Sequence, residues 1–170
     1  MLKFSHYAIG FLLIASFPAC AKTKVASSSG ASSIQLLEAT QQRTKPGRQE
    51  MEPFTIYRFK IVWKSKTAPN EFFWRPDEKA WMETHVAKPI KKPGLAPGDF
   101  MVIEKNMEAK AVRYGDTVIL TTRRHTHAEE PTPSDVKKKP TQSLYFQTGT
   151  NTKWMYAPVT VRKLPDITMP

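Results

Sequence analysis

The sequence has one cysteine, Cys20, so it forms no intramolecular disulfide and no cysteine-built zinc site. It has no long hydrophobic run either. The longest, Tyr7–Phe17, is 11 residues, against about 20 for a membrane-spanning helix. Glycine is sparse, at 7 of 170 residues, and none belongs to a glycine-rich phosphate loop; Gly30 stands alone in the polar stretch Ser27–Ser33. Acidic residues are outnumbered, 15 Asp+Glu against 26 Lys+Arg. Asp77, Glu78 and Glu83 lie close in sequence, but nothing pairs them as general acid and base. What is present argues against wholesale disorder: 40% hydrophobic and 11% aromatic residues can build a core. The length fits one folded domain with tails. A net charge of +11 leaves nucleic acid, anionic lipid and acidic proteins open as partners.

The first twenty residues bear on compartment. Lys3 and the apolar run have the form of a secretory signal, followed by Pro18-Ala19-Cys20-Ala21. Phe17-Pro-Ala-Cys20 resembles a bacterial lipobox, in which the cysteine becomes the lipidated mature N-terminus. Leu is usual where Phe17 stands, and Pro18 is unusual. Ala19-Cys20-Ala21 also fits an A-x-A site, which would release a soluble secreted chain, and a retained anchor is the third reading. The only cysteine falls where a signal-length segment ends and polar sequence begins, which favours lipidation over a buried thiol. Ala21-Lys22 places no acid after the cysteine, which favours the outer membrane. A secretory signal also takes the chain away from nucleic acid.

The division expected is a signal peptide over 1–19, a lipidated cysteine and flexible tether over 20–50, and a folded domain over 51–170. Ser, Ala, Gln, Thr and Lys dominate the tether, whose one apolar cluster, Ile34-Leu36-Leu37, could support a short helix over 34–42. From Pro53 onward the period is two: Tyr57, Phe59, Ile61 and Trp63 alternate with more polar residues, as do Val118 and Leu120. Further strands are expected over 79–86, 100–104, 144–148, 153–156 and 159–163. Turns fall at Ala68-Pro-Asn70, Ala96-Pro-Gly-Asp99, Tyr114-Gly-Asp116 and Gly149-Thr-Asn151; residues 76–82 could be helical. Seven or so short strands predict an all-β fold, an immunoglobulin/transthyretin-like β-sandwich, with a small barrel as the alternative. Two Lys-Pro segments, Lys88–Pro93 and Glu130–Pro140, read as solvated connectors or as a basic contact surface.

Chemical motifs are weak. His125-x-His127 on one strand face would suit a metal, with His85 or Glu129 as a third ligand, but Arg123-Arg124 beside it oppose a cation. Ser134-x-x-Lys137 matches a serine acyl-enzyme pattern without its helix or companion motifs. Trp74, Trp81 and Trp154 could stack on bases, yet tryptophans in a small sandwich are usually core, as expected of Trp63 and Trp154. No cofactor is indicated.

One longer pattern stands out. Tyr57-Arg-Phe-Lys-Ile-Val-Trp-Lys64 runs into Ser65-Lys66 and on to Phe72-Phe73; Leu95-Ala-Pro-Gly-Asp99 follows, then Arg113-Tyr114, Val118-Ile-Leu120 and Arg123. Over residues 53–124 this resembles the outer-membrane lipoprotein of the bacterial type VI secretion system. The Lys-Pro loops and the tail Leu164–Pro170 depart from that pattern. The resemblance implies a non-enzymatic lipoprotein, acylated at Cys20 (palmitate), anchored in the outer membrane and facing the periplasm. It would stabilise a secretion-system complex by binding the periplasmic domain of an inner-membrane component. The loop after the first strand would supply contacts through Ser65, Lys66, Asn70, Phe72 and Phe73, with Trp74 adjacent; read from the residues alone, these aromatics are either a core plug or an exposed anchor. The alternatives are an envelope lipoprotein binding an anionic glycan or lipid through a basic face, and a metal-handling module at His125 and His127. The lipidation reading is checked directly: metabolic labelling with a fatty-acid probe should mark the wild type, and Cys20→Ala should abolish the mark. Labelling that survives the substitution would refute it.

Overall fold

A computed structural model describes residues 30–47, 52–90, 103–125 and 133–168. Its centre is the alternating segment the sequence marks most clearly. Strand β2 (Phe54–Trp63) buries Tyr57, Phe59, Ile61 and Trp63 while Arg58 and Lys60 stay exposed. Each large apolar side chain so buried contributes about 1.5–3 kcal/mol. In chain order the other strands are β1 (Ile34–Lys45), β3 (Pro69–Arg75), β4 (Met82–Glu83), β5 (His85–Ile90), β6 (Ile103–Met107), β7 (Thr117–His125), β8 (Ser143–Thr148), β9 (Met155–Pro158), β10 (Arg162–Lys163) and β11 (Ile167–Thr168). Seven form one sheet in the order β10-β1-β2-β7-β5-β6, with β11 also on β1; four form a second, β4-β3-β8-β9. The two sheets pack together as an all-β sandwich, as the periodicity predicts.

Aromatic rings join the sheets. Trp63 meets Phe72 and Phe146 edge-on at 5.6 and 5.3 Å, and Phe59 meets Trp74 at 4.7 Å. Val118 and Leu120 of β7, Val86 of β5, and Leu144 of β8 complete this core.

The smaller sheet also buries its outer face. Phe73, Trp81, Tyr145, Trp154 and Tyr156 gather there around Val136, with Phe73 stacked on Trp81 at 4.9 Å and Trp154 edge-on to both. The turn Val136 belongs to is held by Arg75, a fully buried cation at the end of β3. Its guanidinium donates to the carbonyl oxygens of Val136 (2.9 Å), Lys137 (3.0 Å) and Lys139. Tyr145 Oη donates to Pro140 O at 2.6 Å and closes the turn. Residues 133–140 therefore roof the cluster through Val136, while Ser134, Asp135, Lys137, Lys138 and Pro140 stay exposed as expected of a solvated connector; 130–132 lie outside the described residues.

Other expectations need correcting. The region assigned to a tether contains β1, a 12-residue strand paired with β2 from Ile34↔Trp63 to Thr44↔Phe54. No helix forms over 34–42. A bulge between Leu36 and Glu38 shifts the alternation, so Ile34 and Ala39 are buried while Leu37 is 49% exposed, and the period of two is hidden in the sequence. Packing reaches back to Gly30, where a Cβ would come within 2.9 Å of Tyr156 O. Residues 76–82 are not helical; the Asp77 carboxylate accepts from the Lys79 and Ala80 amides in a turn. Pro69 and Asn70 begin β3 instead of a turn. The strand expected over 79–86 is replaced by β4 and β5; of that over 100–104, Ile103 and Glu104 belong to β6 and 100–102 lie outside the described residues. Pro89 is inside β5, past its last pair with β7, where the strand has a neighbour on one side only. Trp63 is core as expected, whereas Trp154 is half-buried in the outer cluster.

The roof gives a direct test. Arg75→Leu leaves three carbonyls without their donor and should cost about 3 kcal/mol in urea unfolding. Arg75→Lys should not restore it, because one ammonium cannot replace the forked donors. Full stability in either variant would contradict the role of Arg75.

Candidate functional site

The sandwich has two ends, and each holds different chemistry. At the first, β2 runs out at Trp63. Trp63 N donates to Asp116 O (2.9 Å), Gly115 N to Trp63 O (2.8 Å), Lys64 N to Ser33 O (2.8 Å), and Trp63 Nε1 to Thr67 O (3.1 Å). Gly115 sits at φ 86°, a left-handed conformation strained for any side chain. Asp116 accepts from Lys88 Nζ and the Arg113 amide, both at 2.9 Å. The Lys88 hydrogen bond, outweighing burial and helped by the Arg113 amide, holds its carboxyl below the usual range. This pinned turn carries Tyr114, which is 63% exposed beside exposed Arg113.

The residues expected to contact a partner separate here. Lys66 is exposed, Ser65 Oγ accepts from Thr67 N at 3.2 Å, and Asn70 Nδ2 donates to Gly149 O at 2.7 Å; all belong to this end. Phe72 and Trp74 do not: both are 1% exposed core residues, so the exposed-anchor reading fails for them. Phe73 is half-buried in the cluster on the outer face of the small sheet. The adjacent pair reads as a loop in sequence but belongs to β3, whose two faces are both covered. Tyr114 is the surface aromatic that sequence reasoning passed over. Its signal was the Gly-Asp turn behind it, which fixes the backbone while leaving the ring nothing to pack on.

The opposite end is rich in arginine. The pairings Arg43↔Thr55 and Thr55↔Arg124 place these three residues in one row across β1, β2 and β7. By alternation the row faces the same side as Tyr57, Phe59 and Ile61. Charged residues thus occupy inward positions where the small sheet no longer covers the large one. Arg124 Nη1 donates to Asp77 Oδ2 at 2.5 Å, and the Tyr57 phenol is close enough to feel the same guanidinium. Burial raises the Tyr57 pKa above its usual value despite Arg124 nearby. Burial also pushes the Asp77 carboxyl up, but Arg124 and the Lys79 and Ala80 amides outweigh it and hold it below the usual range. A cavity of about 220 Å³ lies here, lined by Tyr57, Trp74, Asp77, Arg124 and Gln142 among others. Trp74 Nε1 is buried with no hydrogen-bond partner among the described residues, and Gln142 holds φ 49°. A buried unpaired donor and a strained backbone beside one cavity are features a packed core avoids.

The expected metal ligands do not converge. His85 lies opposite Thr121 on β7, four residues from exposed His125, and His127 and Glu129 lie outside the described residues. Among the described residues no three His, Cys, Asp or Glu side chains could hold an ion. Ser134 and Lys137 lie in the roof turn, with Val136 buried between them. A third cavity, beside Glu71, Glu83, His85 and Glu108, is acidic, and burial together with Glu83 raises the Glu71 pKa. No family model matches the chain, and neither a curated protein nor a solved structure matches it.

The Asp77–Arg124 pair predicts an acid dependence. A carboxyl held below its unfolded value stabilises the fold fully above about pH 4, and the gain is lost as pH falls through the folded pKa. The pair is partly exposed, with side chains 29% and 44% accessible, so screening limits the effect to about 1 kcal/mol. Asp77→Asn should flatten the acid limb of stability in urea titrations from pH 6 to pH 2. An unchanged limb would mean the pair adds nothing.

Proposed function

We propose that this protein is a non-enzymatic cell-envelope lipoprotein, anchored through Cys20, that stabilises a secretion-system membrane complex by holding the periplasmic domain of an inner-membrane component. The observation that carries this reading is the pinned Arg113–Asp116 turn, which presents Tyr114 at the same end of the sandwich as exposed Lys66. An exposed aromatic on a rigid turn costs little entropy to bind and is a common anchor at protein interfaces. Lys64, Lys66 and Arg113 are exposed at this end and make it basic, which fits an acidic rim on the partner. In the type VI lipoprotein that the sequence resembles, partner contacts follow the strand corresponding to β2, and here Ser65 and exposed Lys66 would serve.

The position of the fold relative to the anchor fits the same reading. Nine residues separate Cys20 from Gly30, which is packed against Tyr156 and Phe146. Even fully extended, such a segment reaches about 35 Å. The domain would work close to the membrane that holds it, receiving a partner that spans the periplasm.

A photo-crosslinking residue at Tyr114 or Lys66 in cells should capture an inner-membrane protein through its periplasmic domain, and one at Arg58 on the sheet's outer face should not. Tyr114→Ala with Lys66→Glu should lower capture at least tenfold without changing the melting temperature. Equal capture from all positions, or none from Tyr114 and Lys66, would refute the assignment.

A further inference from the structure

The arginine end carries a second binding site, independent of partner capture at the Tyr114 end. We propose that Arg43, Thr55 and Arg124 form an oxyanion site that takes the phosphate group of a phosphate monoester. The three residues stand in one row on adjacent antiparallel strands, so an arginine flanks the threonine on each side. Neighbouring strands are about 4.5–5.5 Å apart, which lets both arginines reach one tetrahedral anion. A cavity of about 310 Å³ opens on the row, bordered also by Phe54, Tyr57 and His125. Among the described residues no carboxylate lines it. Asp77 borders the adjoining cavity instead, where it fixes Arg124 from the far side.

Arg43 distinguishes this site from ordinary surface charge. Basic residues around it are engaged: Lys45 pairs with Asp166 at 3.3 Å, Arg162 with Glu38 at 3.3 Å, and the Arg123 guanidinium lies 4.2 Å from the Phe54 ring centroid. Arg43 has no such partner among the described residues, yet its row position directs it to the inner side of the sheet. Two arginines against the single Asp77 leave net positive charge suited to an oxyanion. The cavity is far larger than a phosphate group, so an organic remainder would lie against Phe54. Arginine suits the task because its fork binds two oxygens of one anion at once, which a lysine does not.

The test uses the full chain in neutral detergent. Inorganic phosphate alone should give saturable broadening of its phosphorus resonance, and Arg43→Gln should weaken binding about tenfold. Arg43→Lys, which keeps the charge and loses the fork, should fall between. Arg43 is exposed, so both variants should melt as wild type does. Water-soluble dihexanoyl phosphatidic acid, with dihexanoyl phosphatidylcholine as control, distinguishes the source of the phosphate. Tighter binding of the phosphatidic acid than of inorganic phosphate assigns a lipid headgroup; equal binding assigns a free phosphate or small ester. Absence of saturation with both anions, equal affinity of Arg43→Gln and wild type, or equal binding of the choline lipid would overturn the site. Crosslinking from Tyr114 should be unchanged in Arg43→Gln, so either reading can fail without the other.

Discussion

The four-stranded sheet has apolar side chains on both faces, and the architecture follows from the need to cover each. Phe72, Trp74, Leu144 and Phe146 face the larger sheet and fuse with Phe59, Ile61 and Trp63. Phe73 and Tyr145 point the other way and would meet water if nothing lay over them. Residues 133–140 supply that cover, and a turn placed there needs its carbonyls satisfied because Val136 pulls it into contact with the aromatic cluster. Arg75 satisfies three of them from below. A buried cation is costly in isolation, but forked donation to several carbonyls offsets desolvation at both partners. One side chain thus joins the end of β3 to a segment about sixty residues away.

Covering the small sheet leaves the ends of the large one open. β2 and β7 extend past the small sheet at the Phe54–His125 end, and there the inward positions pass from aromatic to charged: Phe59 and Leu120 give way to Tyr57 and Thr122, then to Thr55 and Arg124. The same strands at their other end close under tight turns fixed by backbone hydrogen bonds around Trp63. The two ends therefore differ in kind. One is a rigid rim that displays a single aromatic, and the other is a polar recess held by the Tyr57–Arg124–Asp77 network. The ligands proposed for them differ accordingly, a protein surface for the rim and a small anion for the recess.

How legible each part was depends on how many faces a strand buries. β2 and β7 bury one face chiefly, so their alternation is plain and both were found with the correct inward residues. β3 and β8 bury both faces; their sequences run Phe-Phe-Trp and Leu-Tyr-Phe without alternation, and β3 was mistaken for a loop. β1 alternates, but its bulge at Leu37 breaks the phase and its polar outer residues resemble a tether. Ser65 and Lys66 were named through the family resemblance, and they lie in the loop after β2 with Ser65 half-buried and Lys66 exposed. Phe72 and Trp74 were offered as contacts because composition cannot say which side of a sheet a ring will take. The arginine recess had no local signal: Arg43, Thr55 and Arg124 are far apart in the chain and meet only through strand pairing.

The sequence by itself determined the β class, the position of the central strand, its inward residues, and the placement of the lone cysteine after a short apolar segment. These are readable because they rest on composition and on periodicity within a few residues. Tertiary structure alone decided where the fold begins, which face each aromatic covers, that the Lys-Pro segment is a roof, and that three distant polar residues share a row. Those outcomes depend on strand pairing and on packing between sheets, which compare residues tens of positions apart. Local pattern carries no record of that comparison, so it becomes visible only when the chain is closed.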